Sequence, residues 1–212
     1  MIDSHKIDYS KLDTLNVSRE TFLELDEFKE MILDENKKIN LISQHTEELA
    51  RDRHIIDCAQ IIDLIDENHL SCTDLGSGSG LPGLVIAIIK KKQKSKMKFF
   101  LYEKSFKKSN FLKKVINKFE LNAEVINQNI FDQKNLSSDL IVARAFKPLP
   151  IILDLVTDNF NDFKNIILFL GKSGKSSIEQ SLKNWNLEFI EKKSVTEKDS
   201  IIIKINKVSK KR

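Results

Sequence analysis

At 212 residues, with 41% hydrophobic and 31% charged residues, the chain has the composition of one globular domain with a sizeable core and an appendage, not of a disordered or fibrous protein. The longest unbroken apolar stretch after its glycines, Leu84 to Ile89, falls far short of the roughly 20 residues needed to span a bilayer, so no membrane crossing is expected. A net charge of +4 is compatible with a polyanionic partner such as RNA, while the lysine-, isoleucine- and asparagine-heavy vocabulary equally fits A+T-rich codons.

Taken in chain order, Asp3, Lys6, Asp8, Lys11 and Asp13 interrupt any apolar run of the secretory type, which leads to the expectation of a cytoplasmic protein. Residues 18 to 35 place Phe22, Leu25, Phe28, Ile32 and Leu33 at spacings of three and four, an amphipathic helix with Ser18 as its N-cap. Residues 46 to 67 repeat that period through Leu49, Ile56, Ile61 and Ile65, so the first seventy residues read as a helical extension. Cys58 and Cys72 form no CxxC and have no companion ligands; they read as buried small hydrophobes, with neither a disulfide framework nor a metal site expected.

From Cys72 onward short β-prone runs alternate with helical ones, the pattern of βαβ units and a parallel sheet. Strands are predicted near 72–75, 97–102, 123–127, 139–143 and 165–170, with helices near 82–92, 105–119, 130–135, 148–159 and 175–184. Two alternating runs, 186–191 and 199–206, complete the chain as a hairpin across a polar turn. The expected fold is thus α/β, a Rossmann-like, mostly parallel seven-stranded sheet ending in an antiparallel hairpin. The expected organisation is a helical extension over 1–70, a sheet domain over 71–207 and a basic tail over 208–212.

The segment Asp74-Leu-Gly76-Ser-Gly78-Ser-Gly80-Leu81-Pro82-Gly83 follows a strand and opens a helix, the context in which a glycine loop lets a ligand approach the backbone. Gly78-x-Gly80-x-x-Gly83 also matches the dinucleotide fingerprint, and the loop alone leaves both cofactors open. The leading D-x-G-x-G-x-G resembles motif I of seven-strand methyltransferases, where the acid helps place the amino-acid end of S-adenosylmethionine. Glu103, at the end of the second strand, is placed to accept hydrogen bonds from ribose hydroxyls in either case.

With these residues in hand the chain resembles the bacterial 16S rRNA guanine-N7 methyltransferase family known as RsmG or GidB. The resemblance spans about residues 35 to 175, through Asn36-Lys37-x-x-Asn40-Leu41, Arg53-His54-x-x-Asp57, the glycine loop with its Leu81-Pro82-Gly83 tail, Lys107-Lys108-x-x-Phe111-Leu112 and Arg144-Ala145. It implies a class I methyltransferase fold, S-adenosylmethionine as cofactor, and 16S rRNA or the small ribosomal subunit as partner. Carried over, Asp74, Gly76, Gly78, Gly80, Leu81 and Glu103 would bind the cofactor, with Asn129 and Ile130 at its adenine side. Arg144 would face the cleft as the catalytic position and also count among the cofactor-binding residues. The family's R-x-E after the third strand is replaced by Asn129-Ile130-Phe131-Asp132. Its lysine-glycine pair after the fifth strand reads Gly171-Lys172, and a lysine-arginine pair reads Lys107-Lys108.

Guanine N7 carries a free lone pair, so its methylation needs no general base, in keeping with a sequence that offers no nucleophile-base-acid constellation. Arg144 is expected to orient the target nucleotide, with a surface ion pair as the alternative. His54, Lys107, Lys108 and Lys172 are the candidate substrate contacts, against a packing network for His54 and a solvated lysine face for the others. No metal is expected, and the protein is taken as a monomer. Two rival readings stay open at this point: a nicotinamide-dependent oxidoreductase using the same loop, and a non-catalytic RNA-binding or assembly factor that keeps the fold.

Overall fold

The computed structural model describes residues 17–211, so the charged positions between residues 3 and 13 lie outside the described residues. The first element, α1 (Arg19–Asn36), is capped as its sequence predicts: the Ser18 hydroxyl accepts the Thr21 amide, and Phe22, Leu25, Phe28 and Ile32 are buried along one face. Burying each such side chain contributes roughly 1.5–3 kcal/mol, and this face joins one apolar cluster with Leu84, Ile88, Phe111 and Val115. The helical segment therefore shares its core with the sheet domain.

The helix expected over 46–67 is instead four short pieces. A 3-10 turn at Gln44–Thr46 precedes a π-helical turn, Arg51–Ile56, which runs into α2 (Asp57–Ala59), and a second 3-10 turn follows at Ile62–Leu64. Leu49, counted on the apolar face by its spacing, is 55% exposed. π-turns concentrate at functional sites, and in this one the Arg53 carbonyl accepts a side-chain hydrogen bond from Arg144 at 2.7 Å.

The sheet runs β1 (Ser71–Leu75), β2 (Lys98–Tyr102), β3 (Ala123–Ile126), β4 (Leu136–Arg144), β5 (Phe160–Leu170), β6 (Trp185–Lys193) and β7 (Ile201–Lys210). Their spatial order is β3-β2-β1-β4-β5-β7-β6. The first five pair in parallel and the last two form the antiparallel hairpin. Because β7 reaches Lys210, residues 208–210, expected as a tail, are strand. Helices α3 (Gly83–Lys92), α4 (Phe106–Lys118), α5 (Leu149–Asn159) and α6 (Gly174–Ser181) follow β1, β2, β4 and β5.

The predicted helix at 130–135 is only a 3-10 turn, Ile130–Asp132. Its carbonyls are otherwise engaged: Asn159, buried at the end of α5, donates to Ile130 O at 3.2 Å and Gln133 O at 2.5 Å. The strand order reverses between β1 and β4. Open α/β sheets bind ligands at the carboxyl ends of such a switch point, and the loops leaving β1 and β4 carry the glycine segment and Arg144-Ala145.

Candidate active site

At that switch point lies a cleft of about 490 Å³. One wall is the glycine loop. Gly76 has φ +68°, and a Cβ there would stand 2.3 Å from the Phe146 ring, so only glycine lets that ring close over the loop. At Gly78, φ +56°, a Cβ would meet nothing nearer than the Gly76 carbonyl at 3.8 Å; the backbone here is open to an incoming molecule. The Gly78 amide donates to Glu103 Oε2 at 2.9 Å and the Ser105 amide to Oε1 at 2.7 Å. Each carboxylate oxygen keeps a free lone pair, and Glu103 lines the cleft.

Asp74 lies beneath the loop. It is 1% exposed, its Oδ2 accepts the Gly83 amide at 3.2 Å, and its Oδ1 is buried with no partner. Burial, with the nearby Glu103 charge adding to it, pushes its carboxyl up to about 7.

The opposite wall is built around Arg144, at the end of β4. Its Nε donates to Asp57 Oδ2 at 3.2 Å, and its Nη2 donates to the Arg53 carbonyl and to His54 Nδ1 at 3.0 Å. Since Nδ1 accepts, the imidazole proton sits on Nε2 and is donated to Thr46 Oγ1 at 2.9 Å, whose own hydroxyl donates to Ser43 O. Burial and the Arg144 and Arg53 charges hold the His54 pKa down to about 4, so the ring is neutral and fully engaged.

Asp57 accepts further hydrogen bonds on Oδ1 from Gln60, Ser194 and Thr196 at 2.8, 3.0 and 2.8 Å. The last two come from the turn between β6 and β7. That turn is also held by the Val195 amide on Gln60 Oε1 and by an Arg53–Glu197 ion pair.

A family model described as rRNA small subunit methyltransferase G matches residues 22–204. The chain belongs to that family. It is 51% identical over 205 residues to the ribosomal RNA small subunit methyltransferase G of Pelagibacter ubique, covering 96% of each chain. To the Ruegeria pomeroyi protein of the same name it is 32% identical over 198 residues, covering 93% of this chain and 97% of the other. Among solved structures, an S-adenosylmethionine-dependent methyltransferase from Aquifex aeolicus matches with TM-score 0.54 and 12% identity, over 74% of this chain and 91% of the other. The 16S rRNA methylase RmtB matches with TM-score 0.54 and 13% identity, over 90% and 76%. At these identities the structural likeness speaks for the fold, the class I methyltransferase sheet expected from the sequence. Membership of the rRNA small subunit methyltransferase G family sets aside the nicotinamide oxidoreductase reading.

Against this family background, the cleft gathers Gly76, Gly78, Leu81, Glu103, Lys108, Arg144 and His54 from the sequence candidates. Gly80 and Asp74 support the loop without lining the cleft. Asn129 and Ile130 stand apart: Phe146 stacks on Phe131 at 5.9 Å between their turn and the glycine loop, and Ile130 is buried in the second apolar cluster. Lys107 is exposed on α4, and Lys172 is exposed on the turn after β5, 4.0 Å from Asp199.

Sequence reasoning missed the group that holds Arg144. Asp57 was legible as part of Arg53-His54-x-x-Asp57, but Thr46, Gln60, Ser194 and Thr196 lie in segments with no periodic signal. Cys58 and Cys72 are buried free thiols, raised by burial, as their isolation in the sequence predicts. Among the described residues no group of His, Cys, Asp and Glu could hold a metal, and no helix is long and apolar enough to cross a membrane.

Proposed function

We propose that this protein transfers the methyl group of S-adenosylmethionine to N7 of a guanine in 16S rRNA, working as a monomer in the cytoplasm. The observation that carries the reading is the convergence of the glycine loop, Glu103 and Arg144 on one cleft whose only histidine is neutral and fully hydrogen-bonded. The residues fit the cofactor: Gly78 is open to the cleft, Glu103 offers free lone pairs to ribose hydroxyls, and Asp74 holds a buried oxygen without a partner. When bound, S-adenosylmethionine supplies an electrophilic methyl on a positive sulfonium.

This chain's own residues then orient and exclude water. Glu103 and the loop backbone fix the nucleoside end, and Asp74 beneath the loop favours a positive ammonium nearby. Arg144, its Nε and Nη2 already bonded within the protein, holds the target nucleotide by a phosphate or by guanine O6 through its remaining Nη1. Lys107, Lys108 and Lys172 supply phosphate contacts around the mouth. No group removes a proton, because guanine N7 attacks through a lone pair it already has. Alignment is the main contribution, worth roughly 7–11 kcal/mol in favourable cases.

The test is transfer of label from S-adenosylmethionine to small subunits from cells lacking this modification, followed by nucleoside digestion. Recovery of labelled 7-methylguanosine is expected, with affinity for RNA falling steeply as salt is added. Cofactor binding with no label in any rRNA preparation would leave a non-catalytic protein on a methyltransferase fold.

A further inference from the structure

The lysines of α4 divide into two groups. Toward its C-terminal end, Lys114 pairs with Glu35 and Lys118 with Glu27, both acids of α1, so these cations tie the helical segment to the sheet domain. At its N-terminal end Lys104, Lys107, Lys108 and Lys113 make no ion pair among the described residues, and the first turn contains no acid. Among them stands Phe106, 67% exposed, the only aromatic among the exposed large hydrophobic side chains of the described residues.

Nothing in the fold accounts for Phe106. It belongs to neither apolar cluster and has no ring partner among the described residues. As the first residue of α4 it lies beyond the capping contact, which Ser105 makes to the Lys108 amide. Its neighbours in sequence, Glu103 and Lys108, both line the cleft. Asn110 and Lys113 follow it at i+4 and i+7, one helical stripe leading away from the mouth.

We infer that Phe106 is a stacking platform for an unpaired base of the RNA substrate, with Lys104, Lys107 and Lys113 neutralising the phosphates on either side. A flat ring kept in water among unpaired cations is the pairing that single-stranded nucleic acid recognises, since every base offers a π-face and every phosphate a charge. Charge complementarity favours RNA over an apolar protein surface, which four unpaired lysines would have to desolvate. The inference deepens the rRNA reading and rests on it for the identity of the strand.

The experiment uses the full chain and three measurements. Phe106→Ala is compared with the native protein for affinity toward a short unpaired RNA of mixed sequence, toward a duplex of the same length, and toward S-adenosylmethionine. The expected result is a loss of about tenfold on the unpaired strand, a much smaller loss on the duplex, and unchanged cofactor affinity. Phe106→Trp supplies an exposed indole beside the single native tryptophan, Trp185, which is 3% exposed. Its fluorescence should be quenched by the unpaired strand and not by the duplex.

Equal affinities for the unpaired strand in native and Ala proteins would overturn the inference. So would loss of cofactor affinity in the Ala variant, which would make Phe106 part of the cofactor wall. Failure of the native protein to methylate small subunits, with the Trp quench intact, would count against the rRNA methylation reading and not against stacking.

Discussion

Two aspartates on opposite sides of the cleft are both nearly closed to solvent, Asp57 at 8% and Asp74 at 1% exposure, yet they are partnered very differently. Asp57 is surrounded by donors: the Arg144 guanidinium, Gln60 and two hydroxyls of the β6–β7 turn. Asp74 has one backbone amide on Oδ2 and nothing on Oδ1, and burial raises its carboxyl to about 7. The difference separates a carboxylate whose donors all come from the fold from one whose Oδ1 the fold leaves without a partner. A buried charge with a full set of donors anchors structure, whereas one left short of partners carries a free-energy cost that a bound cation relieves.

Asp57→Ala has the largest expected effect. Removing it strands Arg144 and releases the β6–β7 turn; loss of one member of a buried pair costs roughly 3–5 kcal/mol, measurable by urea unfolding. Arg144→Ala keeps the Asp57 contacts to the turn and acts on chemistry instead. Methyl transfer should fall by about a hundredfold or more, with cofactor affinity changed only slightly, because the lost interaction belongs to orientation of the acceptor. A large rise in the cofactor Kd in that variant would place Arg144 on the cofactor.

Smaller effects come from pH. Between the ordinary aspartate value of 3.8 and about 7, folded Asp74 holds a proton that the unfolded chain releases, so its contribution to stability is lost as pH rises through that window. His54 acts oppositely: between 6.5 and about 4 the unfolded chain takes up a proton that the folded ring refuses, so stability is lost as pH falls. The two slopes offset each other in the native protein. Asp74→Asn should therefore leave stability rising with pH between about 4 and 6.5, and His54→Gln should leave it falling. Each change is at most about 3 kcal/mol across the window, read from melting temperature against pH. Parallel curves for the two variants would show that neither group titrates as described.

What the sequence made legible follows from how local the physics is. The cap of α1, the glycine loop and the alternating strands each depend on residues within a turn or two of one another, and Ser18, Gly78 and the hairpin stand where their patterns put them. The helix expected at 46–67 failed because its backbone answers to distant partners: Arg144, 91 positions beyond Arg53, takes the Arg53 carbonyl inside a π-turn. The helix at 130–135 was lost to Asn159 in the same way. Two of the three donors on Oδ1 of Asp57, the carboxylate beside Arg144, are Ser194 and Thr196, polar turn residues whose role exists only once β6 and β7 bring them across the cleft. Phe106, by contrast, carries no motif or periodic signal in the sequence and became visible only through its exposure.

Whether cofactor and acceptor meet between the glycine loop and Arg144, as proposed, would be seen in a crystal structure with S-adenosylhomocysteine. Ribose hydroxyls are expected on Glu103, the thioether sulfur facing the Arg144 wall, and the amino-acid end over Asp74. Density instead in the neighbouring cavity of about 280 Å³, lined by Phe146, Leu149, Gly171 and Gly174, would contradict it.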